Sequence, residues 1–177
     1  ILNLQLPNAL PYAHQYLGLW AMESTAFESL ARSVAAIDLH SHLQAARSQS
    51  FGQGFASAID GVAIVQLGGT LMKQETSLGG ASRVAERRQT RAAAADDSVQ
   101  AILLHIDSPG GTAAGTFELA QDIRKATAQK QVTAFIEDLG ASAAYWAASA
   151  ATRIVANAPA KVGSIGDNRL GGWFSYR

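Results

Sequence analysis

Four short apolar runs, Val62–Leu67, Ala101–Ile106, Val132–Ile136 and Arg153–Ala156, punctuate the chain from residue 62 onward. Stretches with helical spacing separate them. Strands that alternate with helices in this way predict an α/β fold with a mainly parallel sheet. The runs are nearly continuous in apolar residues, the pattern of strands covered on both faces. Gly68-Gly69 closes the first strand. Ser82 caps a helix expected through Ala95, with further helices expected over Thr112–Gln129 and Ser142–Ala151. Arg83, Glu86, Arg87, Arg88 and Arg91 form a charge run that reads as a solvated helix face. Leu78-Gly79-Gly80 reads as a loop. Ligands of such sheets sit beyond the carboxyl ends of the strands. Two glycine turns lie at that edge, Asp107-Ser108-Pro109-Gly110-Gly111 and the segment around Gly140.

Ahead of this core, residues 1–22 read as an irregular arm. Thr25-Ala26-Phe27-Glu28 has the form of a capping box. Phe27, Leu30, Ala31, Val34 and Ile37 then recur at helical spacing, predicting a helix to about residue 47. Its polar face is not basic, so the expected role is packing on the core or on a second copy, not on a membrane. Ser48–Ser57, with Gly52 and Gly54, reads as a linker. The expected organisation is an arm and helical extension over 1–58, a core over 59–166 and a tail over 167–177.

Composition removes several classes of function. With 177 residues, 48% of them hydrophobic, the chain can build a core. A formal net charge of zero and 16% charged residues argue against capture of nucleic acid or an anionic membrane. The absence of cysteine excludes disulfides and thiolate catalysis, and it fits a reducing, cytoplasmic compartment. No signal peptide, membrane anchor or membrane-crossing run is read from the sequence. His14, His40, His42 and His105 form no metal-ligand spacing with carboxylates, so neither a metal nor a cofactor is expected.

The chemistry gathers at Ser142. It sits in Glu137-Asp138-Leu139-Gly140-Ala141-Ser142-Ala143-Ala144-Tyr145-Trp146, between a strand and an alanine-rich helix. A hydroxyl there lies at the positive end of the helix dipole, where nucleophiles are often held. The plainer reading is an N-cap serine. At Gly110-Gly111, Pro109 stiffens the entry, and two glycines let the backbone approach a ligand with bare N–H groups. The plainer reading there is an ordinary strand-to-helix turn. The sequence matches neither a dinucleotide nor a P-loop fingerprint. A nucleophile and an oxyanion donor on neighbouring turns suggest acyl transfer. The base is the open question. No histidine follows Ser142, so the α/β-hydrolase order is not available, and His105 reads as a core residue on its strand. A lysine could serve if its pKa were lowered well below about 10.4. Lys161 is the sole lysine after Ser142 and lies in a loop-like, exposed context. Lys73 lies upstream on the first hairpin.

Taken together, these segments resemble a known family. Leu103-Leu104-His105-Ile106-Asp107-Ser108-Pro109-Gly110-Gly111 is similar to the strand and glycine turn of the signal peptide peptidase A family. Gly140–Trp146 resembles that family's nucleophile turn. Arg153-Ile154-Val155-Ala156-Asn157 and Val162-Gly163-Ser164-Ile165-Gly166 resemble its next strand and closing element. The resemblance spans about Asp60 to Gly166. Trp20-Ala21-Met22-Glu23 and the lack of a membrane anchor look like the phage and prophage capsid-protease branch.

The resemblance implies a Clp-protease/crotonase-like fold of repeated β-β-α units with a mainly parallel sheet, plus the N-terminal helical extension. It implies a serine endopeptidase with a Ser-Lys dyad, acting on protein or peptide substrates through an acyl-enzyme. Ser142 would be the nucleophile. The N–H of Gly110 or Gly111, with that of Ala143, would hold the oxyanion. It also implies a homo-oligomeric ring or dome and, for the phage branch, capsid or scaffold maturation in association with a procapsid. One departure matters. The family's dyad lysine follows the Gly-Ser-Ile-Gly element at a distance, whereas Asp167–Arg177 does not resemble the family's continuation and the sequence stops. The expectation is a truncated or frame-altered product, or a base drawn from another chain. An alternative is a catalytically incomplete relative that assembles or binds peptide. A third reading is a crotonase-like acyl-CoA enzyme with Glu118 or Glu137 as its carboxylate.

Overall fold

A computed structural model describes residues 19–36, 58–74, 81–164, 167–169 and 172–174. Its centre is a sheet of long strands. Strands β3 (Val62–Gly68), β6 (Ala101–Ser108) and β8 (Gln131–Ala141) run parallel, with Val65 opposite Leu104 and Leu104 opposite Ala134. Strand β2 (Ala58–Ile59) joins β3 through Asp60-Gly61, whose φ values of 50° and 79° suit a tight hairpin turn. Beyond β8 lie two short strands on the same edge. Strand β9 (Arg153–Ala156) pairs with its first half and β10 (Lys161–Gly163) with its end, both parallel. The expected α/β architecture with a mainly parallel sheet is therefore present.

Three helices cover one face of this sheet: α2 (Arg83–Ala95), α3 (Thr116–Thr127) and α4 (Ala143–Ala148). Alternate strand residues, Val65, Leu67, Ile102, Leu104, Ile106, Val132, Ala134 and Ile136, meet Leu119, Ile123 and Ala147 in one core. Each fully buried Leu or Ile contributes about 1.5–3 kcal/mol over an exposed one. The opposite face departs from expectation. Ile64, Leu103, His105 and Phe135 are only half-buried, and β9 is exposed throughout. The described residues thus cover one sheet face fully and the other in part, although the strand sequences are apolar on both.

Other boundaries also shift. The helix expected over Thr112–Gln129 begins at Thr116, because Gly110–Thr112 forms a strand, β7. The helix expected from Ser142 spans Ala143–Ala148. Trp20–Met22, expected in an irregular arm, is strand β1, while residues 1–18 lie outside the described residues. Helix α1 (Ser24–Ala35) is capped by Glu23, not by Thr25: the Glu23 carboxylate accepts from the amides of Thr25 (3.1 Å) and Ala26 (2.8 Å). The longer course to residue 47, the linker and the loop at 78–80 lie outside the described residues.

A second sheet of short strands stands beside the first. Its order is β12 (Gly172–Phe174), β11 (Asp167–Arg169), β1, β7, β4 (Leu71–Met72) and β5 (Ala81–Ser82). The expected solvated face of α2 is corrected here. Arg83 is fully buried, and its guanidinium donates to the carbonyls of Thr112 (2.5 Å), Ala114 (2.7 Å) and Leu71. One cation therefore ties β4, β7 and the entry to α3. Glu86, one turn on, is also buried and neither carboxylate oxygen has a hydrogen-bond partner. Desolvation pushes its carboxyl up to about 7, against the pull of the Arg83 charge, and lowers Arg83 to about 10. Arg87 of the same helix bonds Asp122 of α3 at 2.7 Å.

Candidate active site

Strand β8 ends at Ala141 and α4 starts at Ala143, so the chain must reverse at one residue. That residue is Ser142, with φ 54° and ψ −113°. A side-chain-bearing residue in this region costs on the order of 1–3 kcal/mol and persists only where the surroundings enforce it. The surroundings here do so. The Ser142 amide donates to Gly163 O on β10 (2.8 Å), and the Ser142 carbonyl accepts from Trp146 (2.8 Å). Ser142 holds the N-cap position of α4, but its hydroxyl makes no capping bond to the helix. Gly140 opens the turn because Ile136 lies beside it: a Cβ there would come within 2.7 Å of that side chain. Small residues Ala141, Ala143 and Ala144 surround the serine, which is 7% exposed.

The glycine turn meets this corner. Gly110 has φ 97°, and a Cβ on it would lie 3.1 Å from Ala143 N and 3.0 Å from Ala141 O. The two glycine-marked turns, about thirty residues apart in sequence, are thus in contact at the carboxyl end of the parallel strands. The Gly110 amide is already used, donating to Ser108 Oγ at 3.1 Å. Gly111 faces strand β1 instead, opposite Ala21. Ala143 occupies the first helical position, where a backbone N–H has no intrahelical acceptor. By position in the fold, the Ala143 amide opens the helix, whereas the Gly111 amide faces Ala21 of β1.

The two candidate lysines, Lys73 and Lys161, are exposed. The chain has four lysines, Lys73, Lys125, Lys130 and Lys161, and none is buried. Lys161 is exposed on β10 opposite Leu139. Lys130 bonds the carbonyls of Asp96 and Val99 at the far end of the sheet. His105 is not a core residue as expected. Its ring lies half-exposed on the open sheet face, stacks on Phe135 (centroids 5.8 Å apart), and contacts Gln66 Oε1 (2.6 Å) and Glu137 (2.9 Å). That contact commits Glu137, and Glu118 stands in the first turn of α3 near Arg83. Among the described residues no cluster of three or more His, Asp or Glu side chains could hold a metal, and no helix is long and apolar enough to cross a membrane.

Sequence reasoning missed Arg83 as an anchor of the glycine strand, and Trp20–Met22 as that strand's partner. A buried arginine inside a charge run leaves no mark in the sequence.

Comparison with known proteins finds similarity over the region that holds this geometry. Residues 124–167, which include Ser142, match the model of peptidase family S49. The chain is 37% identical over 114 residues to the head-tail preconnector protein GP5 of Enterobacteria phage P21, covering 61% of this chain and 22% of that protein. It is 36% identical over 114 residues to the capsid assembly protease C of Escherichia phage lambda, covering 61% and 26%. It is 32% identical over 117 residues to the chloroplastic serine protease SPPA of Arabidopsis thaliana, covering 64% and 17%. The chain therefore spans about a quarter or less of the length of these relatives.

Proposed function

We propose that this relative of the S49 serine peptidases, with its Clp-protease-like fold, is the nucleophile-bearing portion of a serine endopeptidase. The observation that carries the reading is the backbone of Ser142. A non-glycine residue held at φ 54° between a parallel strand and a helix is what a nucleophile needs to stand clear of its own helix. In the proposed reaction Ser142 Oγ attacks the carbonyl carbon of an extended peptide. Its proton passes to a base, the carbonyl oxygen takes the negative charge, and the amides of Gly111 and Ala143 donate to it. The C–N bond then breaks, the amine leaves with the proton, and water hydrolyses the ester.

The base is a lysine supplied by a neighbouring subunit. In support, no lysine of this chain is buried, and a lysine base needs burial or a cationic neighbour to lose its proton near neutrality. By analogy with the phage relatives, the substrate is a capsid or scaffold protein and the assembly is a homo-oligomer associated with a procapsid. The same observation favours a second reading, in which these residues alone bind peptide and assemble but do not cut.

Hydrolysis of an unfolded protein by the purified chain, from neutral to alkaline pH, separates the two. Peptidase action predicts cleavage that rises with pH and falls by on the order of a thousandfold or more in Ser142→Ala. A folded, oligomeric protein with no Ser142-dependent cleavage supports the second reading.

A further inference from the structure

Strand β1 lies against the glycine strand, where an incoming peptide would have to lie. It runs antiparallel to β7, with Trp20 opposite Thr112, Ala21 opposite Gly111 and Met22 opposite Gly110. Its flanking bonds are Glu23 N–H to Pro109 O (2.8 Å) and Ala113 N–H to Leu19 O (2.7 Å). These stand two residues to either side of the Ala21–Gly111 pair. Bonded pairs alternate along an antiparallel ladder, so Ala21 and Gly111 exchange backbone bonds. The Gly111 amide, one of the two oxyanion donors proposed above, is thereby directed at the Ala21 carbonyl. The same carbonyl would lie 2.3 Å from a Cβ on Gly110, which would itself lie 3.1 Å from Ala143 N. A carbonyl of the chain's own backbone thus converges on the corner assigned to a scissile carbonyl.

We propose that Leu19–Glu23 is an internal occupant of the peptide groove, which must leave before an extended substrate can add to β7. The inference rests on the peptidase reading and deepens it by naming the ligand class. The groove takes an extended segment with a small residue opposite Gly111 and large apolar side chains on either side of it. In β1 these are Ala21, flanked by Trp20 and Met22.

The packing makes displacement feasible. Trp20 and Met22 belong to a small cluster with Met72, Ala26, Phe27 and Leu30, separate from the main core. Trp20 meets Phe27 edge-on at 5.6 Å. Helix α1 has no buried residue of its own. Opening β1 with α1 therefore costs this cluster, the three-residue ladder to β7 and the pairing with β11 at Trp20–Asn168, while the parallel sheet keeps its contacts.

The chain has no cysteine, so an engineered pair reports on β1 alone. Trp20 and Thr112 form a non-bonded antiparallel pair, with Cα atoms about 4.5 Å apart in such ladders, within reach of a disulfide. The variant Trp20→Cys/Thr112→Cys, in a Ser142→Ala background so that the probe stays intact, pins β1 when oxidised and loosens it when reduced. The probe is a fluorescent heptapeptide with the sequence of residues 18–24, followed by anisotropy. Binding about tenfold or more tighter in the reduced state is expected, since a pre-filled groove lowers apparent affinity by the fraction that is open. Equal affinity in both states overturns the occupancy and leaves the peptidase reading standing. No binding in either state overturns the groove itself and the occupancy with it. Hydrogen exchange on the chain without engineered cysteines guards against a misfolded variant. Excess heptapeptide should speed exchange over 19–23 and leave 101–108 unchanged; unaltered exchange at 19–23 with peptide bound refutes displacement.

Discussion

The two glycine-marked turns of the site look alike in sequence and differ in construction. Each follows a parallel strand and precedes a helix. At Gly140–Ser142 the helix follows at once, and the cost falls on one residue, Ser142, held at positive φ. At Gly110–Gly111 the chain instead makes a strand that opens a second sheet. The first turn depends on local geometry: a serine at the bend, with alanines and Ile136 packed around it. The second depends on three backbones brought together from separate parts of the chain, β1, β4 and β7, and on the Arg83 side chain. The corner proposed as catalytic has both sorts of support, one that holds Ser142 at its bend and one that fixes the glycine strand.

Of the two turns, the glycine strand is the more sensitive to an added side chain. A Cβ at Gly111 would fall 1.8 Å from the Leu71 carbonyl oxygen. Gly111→Ala should cost more than about 3 kcal/mol, or block folding of the second sheet. Gly68→Ala, where no atom lies within 4 Å of the added Cβ, should change stability by no more than about 0.5 kcal/mol. Urea unfolding of the two variants measures the contrast.

Arg83→Leu strips three carbonyls of their shared donor. A loss of about 3 kcal/mol is expected, with any Ser142-dependent cleavage falling further than stability alone explains. Arg83→Lys should not rescue it, because an ammonium lacks the planar fork that reaches three acceptors.

Glu86 sharpens the same point through pH. Its carboxyl titrates near 7 in the folded chain, above its ordinary value of 4.5, because burial disfavours the charge. The folded state then binds more protons than the unfolded one between those values. Stability should fall as pH rises from about 4.5 to 7 and level off above. Glu86→Gln should flatten that dependence and be more stable than the parent at pH 8, with the gap closing near pH 4, read from thermal midpoints.

At the serine turn the expected effect on stability is modest and of opposite sign. Ser142→Gly should raise stability by about 1 kcal/mol while removing the proposed nucleophile, since glycine accepts the backbone that serine is forced into. A variant less stable than the parent would mean that the bend is not strained.

The parallel core was legible because its signal is local. Val62–Leu67, Ala101–Ile106 and Arg153–Ala156 each carry their strand character within a few residues, and Ser82 marks a helix start that the structure keeps. Ser142 was legible for the same reason, as a serine set between a strand and an alanine run. The second sheet was not. Its strands are two or three residues long, too short for any period to show, and Trp20–Met22 became a strand only because Gly110–Thr112 offered it an edge. The burial of Arg83 and Glu86 was hidden for a related reason, since one face of α2 is chosen by what packs on it. The sequence by itself determined the α/β core, its strand order of appearance and the serine at the helix start, because backbone propensity and side-chain periodicity act over neighbouring residues. Only the tertiary structure decided that the glycine turn is a strand, that Arg83 holds it, and that Ala21 faces its amides. Those depend on carbonyls and donors far apart in the chain meeting within hydrogen-bond distance.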